Sequence, residues 1–272
     1  MRLTTLLFAA LLAGASASAL AATRTAPPAQ TSAPAAKPAT PPAPQKASPE
    51  QRAEAERLEP LARAAFWARE VDIDPRDPEA GLKLSKALRA LGRFQEAAAA
   101  ADQVLVLQPT NFEGLLESAR DRIGEGQGFY AIDPAERAVA IAPRDWRPVS
   151  LLAIALEQSD RDSEALADHQ KALALAPDNP ATLTNLGMYF ATHGDAARAE
   201  PLLRKAASAP GATSQERLNL ALVLGLEGRL DEAEKLQRQD LPPDVVDNNL
   251  GYLRADSQTP HTRSWDSLKT AQ

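Results

Sequence analysis

From residue 78 onward, apolar residues recur every three or four positions in segments of ten to fourteen residues, paired around short polar breaks. Leu82–Leu91 and Phe94–Leu107 form one such pair, separated by Leu91-Gly92-Arg93. This spacing predicts two amphipathic helices joined by a tight turn. The pair then repeats. Ala97, Ala131, Ala165, Ala199 and Ala233 stand 34 residues apart, and the same phase yields Gly92, Gly126, Asp160, Gly194 and Gly228. It also yields the small residues Ser85, Ala119, Ala153, Gly187 and Ala221, while Pro109, Pro143 and Pro177 close three of the units. A fixed period of this length specifies stacked supersecondary units.

The unit follows from its residues. The turn glycine supplies the left-handed conformation that a short helix–helix connection needs. Small residues at the Ser85 and Ala97 phases let the two helices approach closely, with Leu84, Leu88 and Val104 filling around them. Proline before the next unit stops the second helix. Each hairpin keeps an apolar face that only its neighbour covers.

A 34-residue helix–turn–helix with a small residue at position 8, Gly at 15, Ala at 20 and Pro at 32 resembles the tetratricopeptide repeat (TPR). The resemblance covers most of the chain past residue 77. It implies an all-α, right-handed solenoid of about five repeats, at 78–111, 112–145, 146–179, 180–213 and 214–243. A leading helix within 50–77 and a capping helix at 244–255 flank them, and 256–272 is polar enough to read as a flexible tail.

Two units depart from the pattern. The second has Arg122 at an ordinarily apolar position, then Gly124, Gly126 and Gly128, then Pro134. Asp133-Pro134-Ala135-Glu136 reads as an N-cap, a proline at N1 and a reciprocal acid at N3, which predicts a late, short second helix after a loosened turn. The fifth replaces its closing segment with Asp240-Leu241-Pro242-Pro243.

The N-terminal region has a different character. Arg2, the apolar stretch Leu3–Ala13 and the small-x-small frames of Ala15–Ala21 read as a signal peptide over 1–22, with an uncleaved anchor as the alternative. Residues 23–49 are rich in Ala, Pro, Ser and Thr with eight prolines, a disordered linker reaching about 80 Å if extended or about 30 Å as a coil.

Composition narrows the chemistry. Apolar residues make up 44% of the chain but aromatics only 4%, so the core is built from small side chains on closely packed helices. Beyond residue 49 there are 26 basic and 36 acidic residues, a net of −10, a balance that argues against nucleic acid. With no cysteine, disulfides, thiolate metal sites and lipidated cysteines are excluded.

No catalytic constellation emerges. His169 directly follows Asp168, but adjacent helical residues point about 100° apart, so His169 is assigned to packing between repeats. His193 lies in a turn and reads as solvated. Gly124-Glu125-Gly126-Gln127-Gly128 follows a helix rather than a strand and lacks the Lys-Ser/Thr of a phosphate loop. The chain is therefore expected to be no enzyme and to hold no cofactor or metal.

In TPR solenoids, positions 2, 5, 6, 9, 12 and 13 of each first helix line or rim a groove. Position 6 reads Asn185, Asn219 and Asn249 over the last three first helices, and position 9 reads Met188, Leu222 and Tyr252. Amide side chains pair with both the N–H and C=O of an extended peptide, which makes these six residues the candidate protein-binding set.

A narrower resemblance lies in Ala142-Pro-Arg-Asp-Trp-Arg147, Pro210-Gly-Ala-Thr213, Leu218–Arg229 and Asp240–Pro243, which are similar to blocks of TadD-type proteins of Flp/Tad (tight adherence) pilus assembly. The resemblance implies a non-catalytic periplasmic scaffold whose partners are other proteins, among them a pilus secretin or pilus-assembly components, peripheral to the outer membrane at most. Such proteins are often lipoproteins. Here Ala15 stands where the lipobox cysteine would be. A generic exported adaptor for envelope biogenesis and an accessory subunit of an envelope polysaccharide synthase are the alternatives.

Overall fold

The computed structural model describes residues 45–258, with side chains described to residue 255. The signal peptide, most of the linker and residues 259–272 of the tail lie outside the described residues.

Thirteen α-helices and no strand are found among the described residues. Five hairpins carry the period: α3 (Pro78–Ala90) with α4 (Phe94–Leu107), α5 (Phe112–Gly124) with α6 (Gly128–Ile141), α7 (Trp146–Glu157) with α8 (Asp162–Leu175), α9 (Pro180–Thr192) with α10 (Ala196–Ser208), and α11 (Ser214–Leu226) with α12 (Leu230–Gln237). They are preceded by α1 (Pro49–Ala55) and α2 (Pro60–Ile73) and followed by α13 (Pro243–Gln258). No helix among the described residues is long and apolar enough to cross a membrane.

Each first helix of the five hairpins starts the same way. Asp77, Asn111, Asp145, Asn179 and Thr213, again 34 apart, accept hydrogen bonds from backbone N–H groups of the first turn at 2.9–3.2 Å, satisfying donors that the helix leaves unpaired. Each also ends the same way. Gly92, Gly126, Gly194 and Gly228 have φ of +71° to +82°, and the residue after each donates back to the helix, as Arg93 does to Leu88. In the third hairpin Asp160 holds the same turn at φ +57°.

Within the hairpins the small residues mark contact. Ala97, Ala131, Ala165, Ala199 and Ala233 are fully buried. A Cβ on Gly187 would lie 2.8 Å from Leu203, so α9 and α10 meet where only glycine fits.

The leading segment is not one helix. It breaks at Glu56–Glu59, and α2 starts with Pro60 at N1. Its phase is that of a further hairpin: Trp67 lies 34 residues before Ala101, and the series continues through Ala135, His169, Leu203 and Gln237, all buried. Gln51, Leu58 and Arg63 stand where the other hairpins carry a small residue, glycine (Asp160 in the third) and alanine, so the signature is absent and charge substitutes for it. The Arg52 guanidinium bridges Glu70 and Asp77, both at 2.8 Å, and Glu79 at 2.9 Å, while the Ala47 N–H donates to the buried Glu70 carboxylate. Lys46–Pro49, read as linker, therefore belongs to the folded unit.

The second hairpin also differs from expectation. Helix α6 runs the full 14 residues with Pro134 inside it, rather than starting at Asp133. The Pro134 interruption costs roughly 3 kcal/mol in a free helix, but here the helix is clamped on both sides of it. A Cβ on Gly128 would sit 2.5 Å from Gln158 Cβ and 2.6 Å from the Ala155 carbonyl oxygen, so α6 enters directly against α7. Nor is the preceding turn loosened. Gly124 lies against the Phe94 ring, Gly126 supplies the turn at φ +77°, and Arg122 is ion-paired to Asp102. Gly124 and Gly128 thus mark close approaches and Gly126 the turn between them.

Candidate protein-binding surface

Successive first helices (α3, α5, α7, α9, α11 and α13) pack on one another, whereas successive second helices stand further apart, α10 and α12 meeting through the Arg204–Glu232 ion pair. The inner radius of the stack is therefore set by the first helices, and their outward residues form one continuous face. Counting each unit from residues 78, 112, 146, 180, 214 and 244, that face is built from position 9, exposed or half-buried in every unit, over positions 5 and 6, where Leu116, Glu117, Ser150, Leu151 and Thr184 are buried.

The six predicted residues lie on it in unlike surroundings. Asn185 is half-buried, and its Nδ2 donates to Ser150 Oγ of the preceding first helix at 2.8 Å. Asn219 Oδ1 accepts from Gln215 Nε2, one turn back on its own helix, at 2.9 Å. Asn249 turns instead to Gln237 on α12, at 2.9 Å. Asn185 and Asn249 thus each reach back to the preceding unit, while Asn219 is held within its own helix. Beside Asn185, the Thr184 hydroxyl is buried without a hydrogen-bond partner. Met188 and Leu222 are half-buried against the core and Tyr252 is exposed.

The other end of this face is charged. Lys83, Lys86, Glu117 and Arg120 occupy positions 6 and 9 of the first two repeats. Glu117 and Asp121, one turn apart on α5, are 1% and 0% exposed. Arg89 pairs with both, Ser85 donates to Asp121 at 2.8 Å, and Arg120 reaches Glu117 at 2.6 Å. Burial pushes the Asp121 carboxyl above the usual range despite Arg89. The cations lie outermost: Lys86 is 45% and Arg120 37% exposed. The 34-residue register contained this signal, since it places those charges in the same ladder as Met188 and Leu222.

The histidines are placed by packing. His169 is buried, with Nε2 3.3 Å from a Glu157 oxygen and its ring 5.4 Å from that of Tyr189. His193 is not simply solvated: it stacks on Tyr189 at 4.1 Å and 25°, with Nε2 3.3 Å from Asp162. Glu157, Asp160, Asp162, Thr192 and His193 line a cleft of about 200 Å³ at the turn edge. Among the described residues, no group of three or more His, Asp or Glu side chains has the geometry to hold a metal ion.

No protein-family model and no curated protein sequence matches the chain. Solved structures do. A thermophilic TPR protein of Thermus thermophilus is 24% identical, covering 66% of this chain and 100% of its own, with a TM-score of 0.59. A tetratricopeptide repeat protein from Parabacteroides merdae is 11% identical over 75% of this chain and 80% of its own, with a TM-score of 0.62. MamA (41-end) from Desulfovibrio magneticus is 25% identical over 58% of this chain and 89% of its own, with a TM-score of 0.51. The fold is an all-helical TPR solenoid. Proteins of that fold generally mediate protein–protein interaction.

Proposed function

We propose that the chain is an exported, non-catalytic scaffold that holds an extended segment of a partner protein against its first-helix face, in the service of Flp/Tad-type pilus assembly. The observation that carries the binding reading is the floor around α7 and α9. Asn185, half-buried and held by Ser150, offers an amide to a main chain, and Ile154, Met188 and Leu222, each partly exposed, offer aliphatic contact beside it. The secretory character of residues 1–22 and the TadD-like blocks at 142–147, 210–213, 218–229 and 240–243 support the periplasmic and pilus parts of the reading.

The test combines photocrosslinking with substitution. A photoreactive residue at position 185 or 219 captures a partner in envelope fractions, and one at Glu164 on the second-helix side does not. Asn185→Ala, Asn219→Ala and Asn249→Ala together, in a chain of unchanged helicity and melting, abolish the capture; each amide contributes about 0.5–1.5 kcal/mol. Full capture by the folded triple variant refutes the groove as working surface. A captured partner that is neither a secretin nor a pilus-assembly protein refutes the pilus assignment.

A further inference from the structure

The first-helix face is divided by charge at a sharp boundary. At positions 5, 6 and 9 of the first two repeats, four of six residues are charged. At the same positions of the next three repeats none of nine is. The boundary falls between Arg120 and Ile154, which are neighbours in one ladder.

The charged half presents positive charge rather than a neutral mixture. Glu117 and Asp121 lie beneath, at 1% and 0% exposure, and Lys86, Arg89 and Arg120 converge on them from outside. Three cations meet two carboxylates, which leaves one positive charge in surplus. Because the carboxylates are buried and the cations are not, an approaching chain meets ammonium and guanidinium N–H groups first. The chain as a whole has a net charge of −6, so this cationic surface runs against its surroundings. The other half offers Ile154, Met188 and Leu222, separated by amide and hydroxyl groups.

We propose that this face selects a bipartite segment of a partner protein: an acidic block seated over the first two repeats, joined to an aliphatic block over the next three. The inference rests on the binding reading above and specifies its partner. Its length follows from geometry. Successive first helices stack about 10 Å apart and an extended chain advances about 3.3 Å per residue, so each repeat spans about three residues. The acidic block is then about six residues long and the aliphatic block about nine. Acidic side chains displace Lys86 and Arg120 little, since Lys86 lies 3.8 Å from Glu117 and both side chains stay more than a third exposed beside it. Aliphatic side chains on the wrong half would strip water from those cations without pairing them, which sets the register.

The test uses the full chain and fluorescent synthetic peptides of about fifteen residues, read by anisotropy. One peptide has an acidic block followed by an alternating aliphatic–polar block, a second has the blocks in reverse order, a third has the same composition with the acids interleaved, and a fourth carries lysine for every acid. One of the two blocked peptides is expected to bind about tenfold tighter than the interleaved one, with affinity falling as salt rises. Lys86→Gln with Arg120→Gln removes about tenfold of that affinity and flattens the salt dependence, while leaving a peptide of the aliphatic block alone unaffected. Met188→Asp with Leu222→Asp abolishes binding of the aliphatic block. Should the double glutamine variant fold poorly, Lys86→Gln alone carries the same expectation at smaller size. Equal binding of interleaved, lysine and blocked peptides overturns the bipartite assignment and leaves the binding face standing. Failure of every peptide to bind overturns both.

Discussion

Gly128 provides the sharpest test of how the hairpins meet. It opens α6, and a methyl group there would be built 2.5 Å from Gln158 Cβ and 2.6 Å from the Ala155 carbonyl oxygen on α7. The glutamine side chain can swing aside, but the carbonyl is part of a helix and cannot. Gly128→Ala therefore pushes the second and third hairpins apart by some tenths of an ångström, an overpacking that costs about 1–3 kcal/mol. Replacing glycine inside a helix ordinarily stabilises by about 0.5–1 kcal/mol, and little of that is available at a first-turn position. The net expectation is a loss of about 1–2 kcal/mol. Gly251 is the control: it lies within α13, with nothing inside 4 Å of a built Cβ, so Gly251→Ala stabilises by about 0.5–1 kcal/mol. At about 2–4 °C per kcal/mol, the two melting midpoints by circular dichroism separate by several degrees in opposite directions. Repeat stacks need not unfold in one step, so amide exchange around residues 128–135 and 246–253 is measured alongside. If Gly128→Ala melts at or above the parent, the contact between α6 and α7 is not as described and the account of Pro134 fails with it.

Ala165→Leu should destabilise by about 1–3 kcal/mol, because Ala165 is fully buried at a helix-pair contact; an unchanged melting midpoint would contradict the 34-residue register. Asp160 is the one non-glycine among the described residues with positive φ, so Asp160→Gly should add up to about 1 kcal/mol of stability and raise the melting midpoint; a drop would show that its side chain contributes more than its backbone costs. Hydrogen bonds from Arg147, Arg217 and Arg229 hold the carboxyls of Asp145, Asp240 and Glu200 below their ordinary values of 3.8, 3.8 and 4.5. Depressed acids contribute stability that is present above the unfolded value and lost as pH falls through the folded one, so the melting midpoint should decline steadily below about pH 4.5; a flat profile down to about pH 2 would refute the pairing.

The leading hairpin shows where periodicity stops being informative. Its diagnostic positions hold Gln51, Leu58 and Arg63, so no pattern search in 34-residue phase finds it, yet Trp67 is buried in register with five later residues. The binding face divides similarly. Asn185, Met188, Asn219 and Leu222 were legible as a ladder, but the distinct partner of each asparagine was not, nor was the burial of Glu117 and Asp121 beneath the cations.

For the five hairpins that carry the signature, turn position and packing alanines follow from the sequence alone, because each repeat solves the same local problem with the same residue types at the same spacing. Helix propensity, turn glycines and Asx caps act over a few residues, and repetition makes their joint signal unmistakable. Tertiary structure decided what depends on contacts between repeats. Asp133-Pro134-Ala135-Glu136 is locally a good helix start, and it was overridden by the seating of Gly128 on α7. Along its own helix end His193 meets Tyr189 and Thr192, and only packing against the preceding hairpin brings Asp162 to it. Ser85 and Asp121, 36 residues apart, become bonded only when one first helix lies on the next, and that burial is what leaves Lys86 and Arg120 uppermost. A one-dimensional pattern records which face a residue occupies; the desolvation and pairing that give the face its charge arise only when neighbouring repeats close over it.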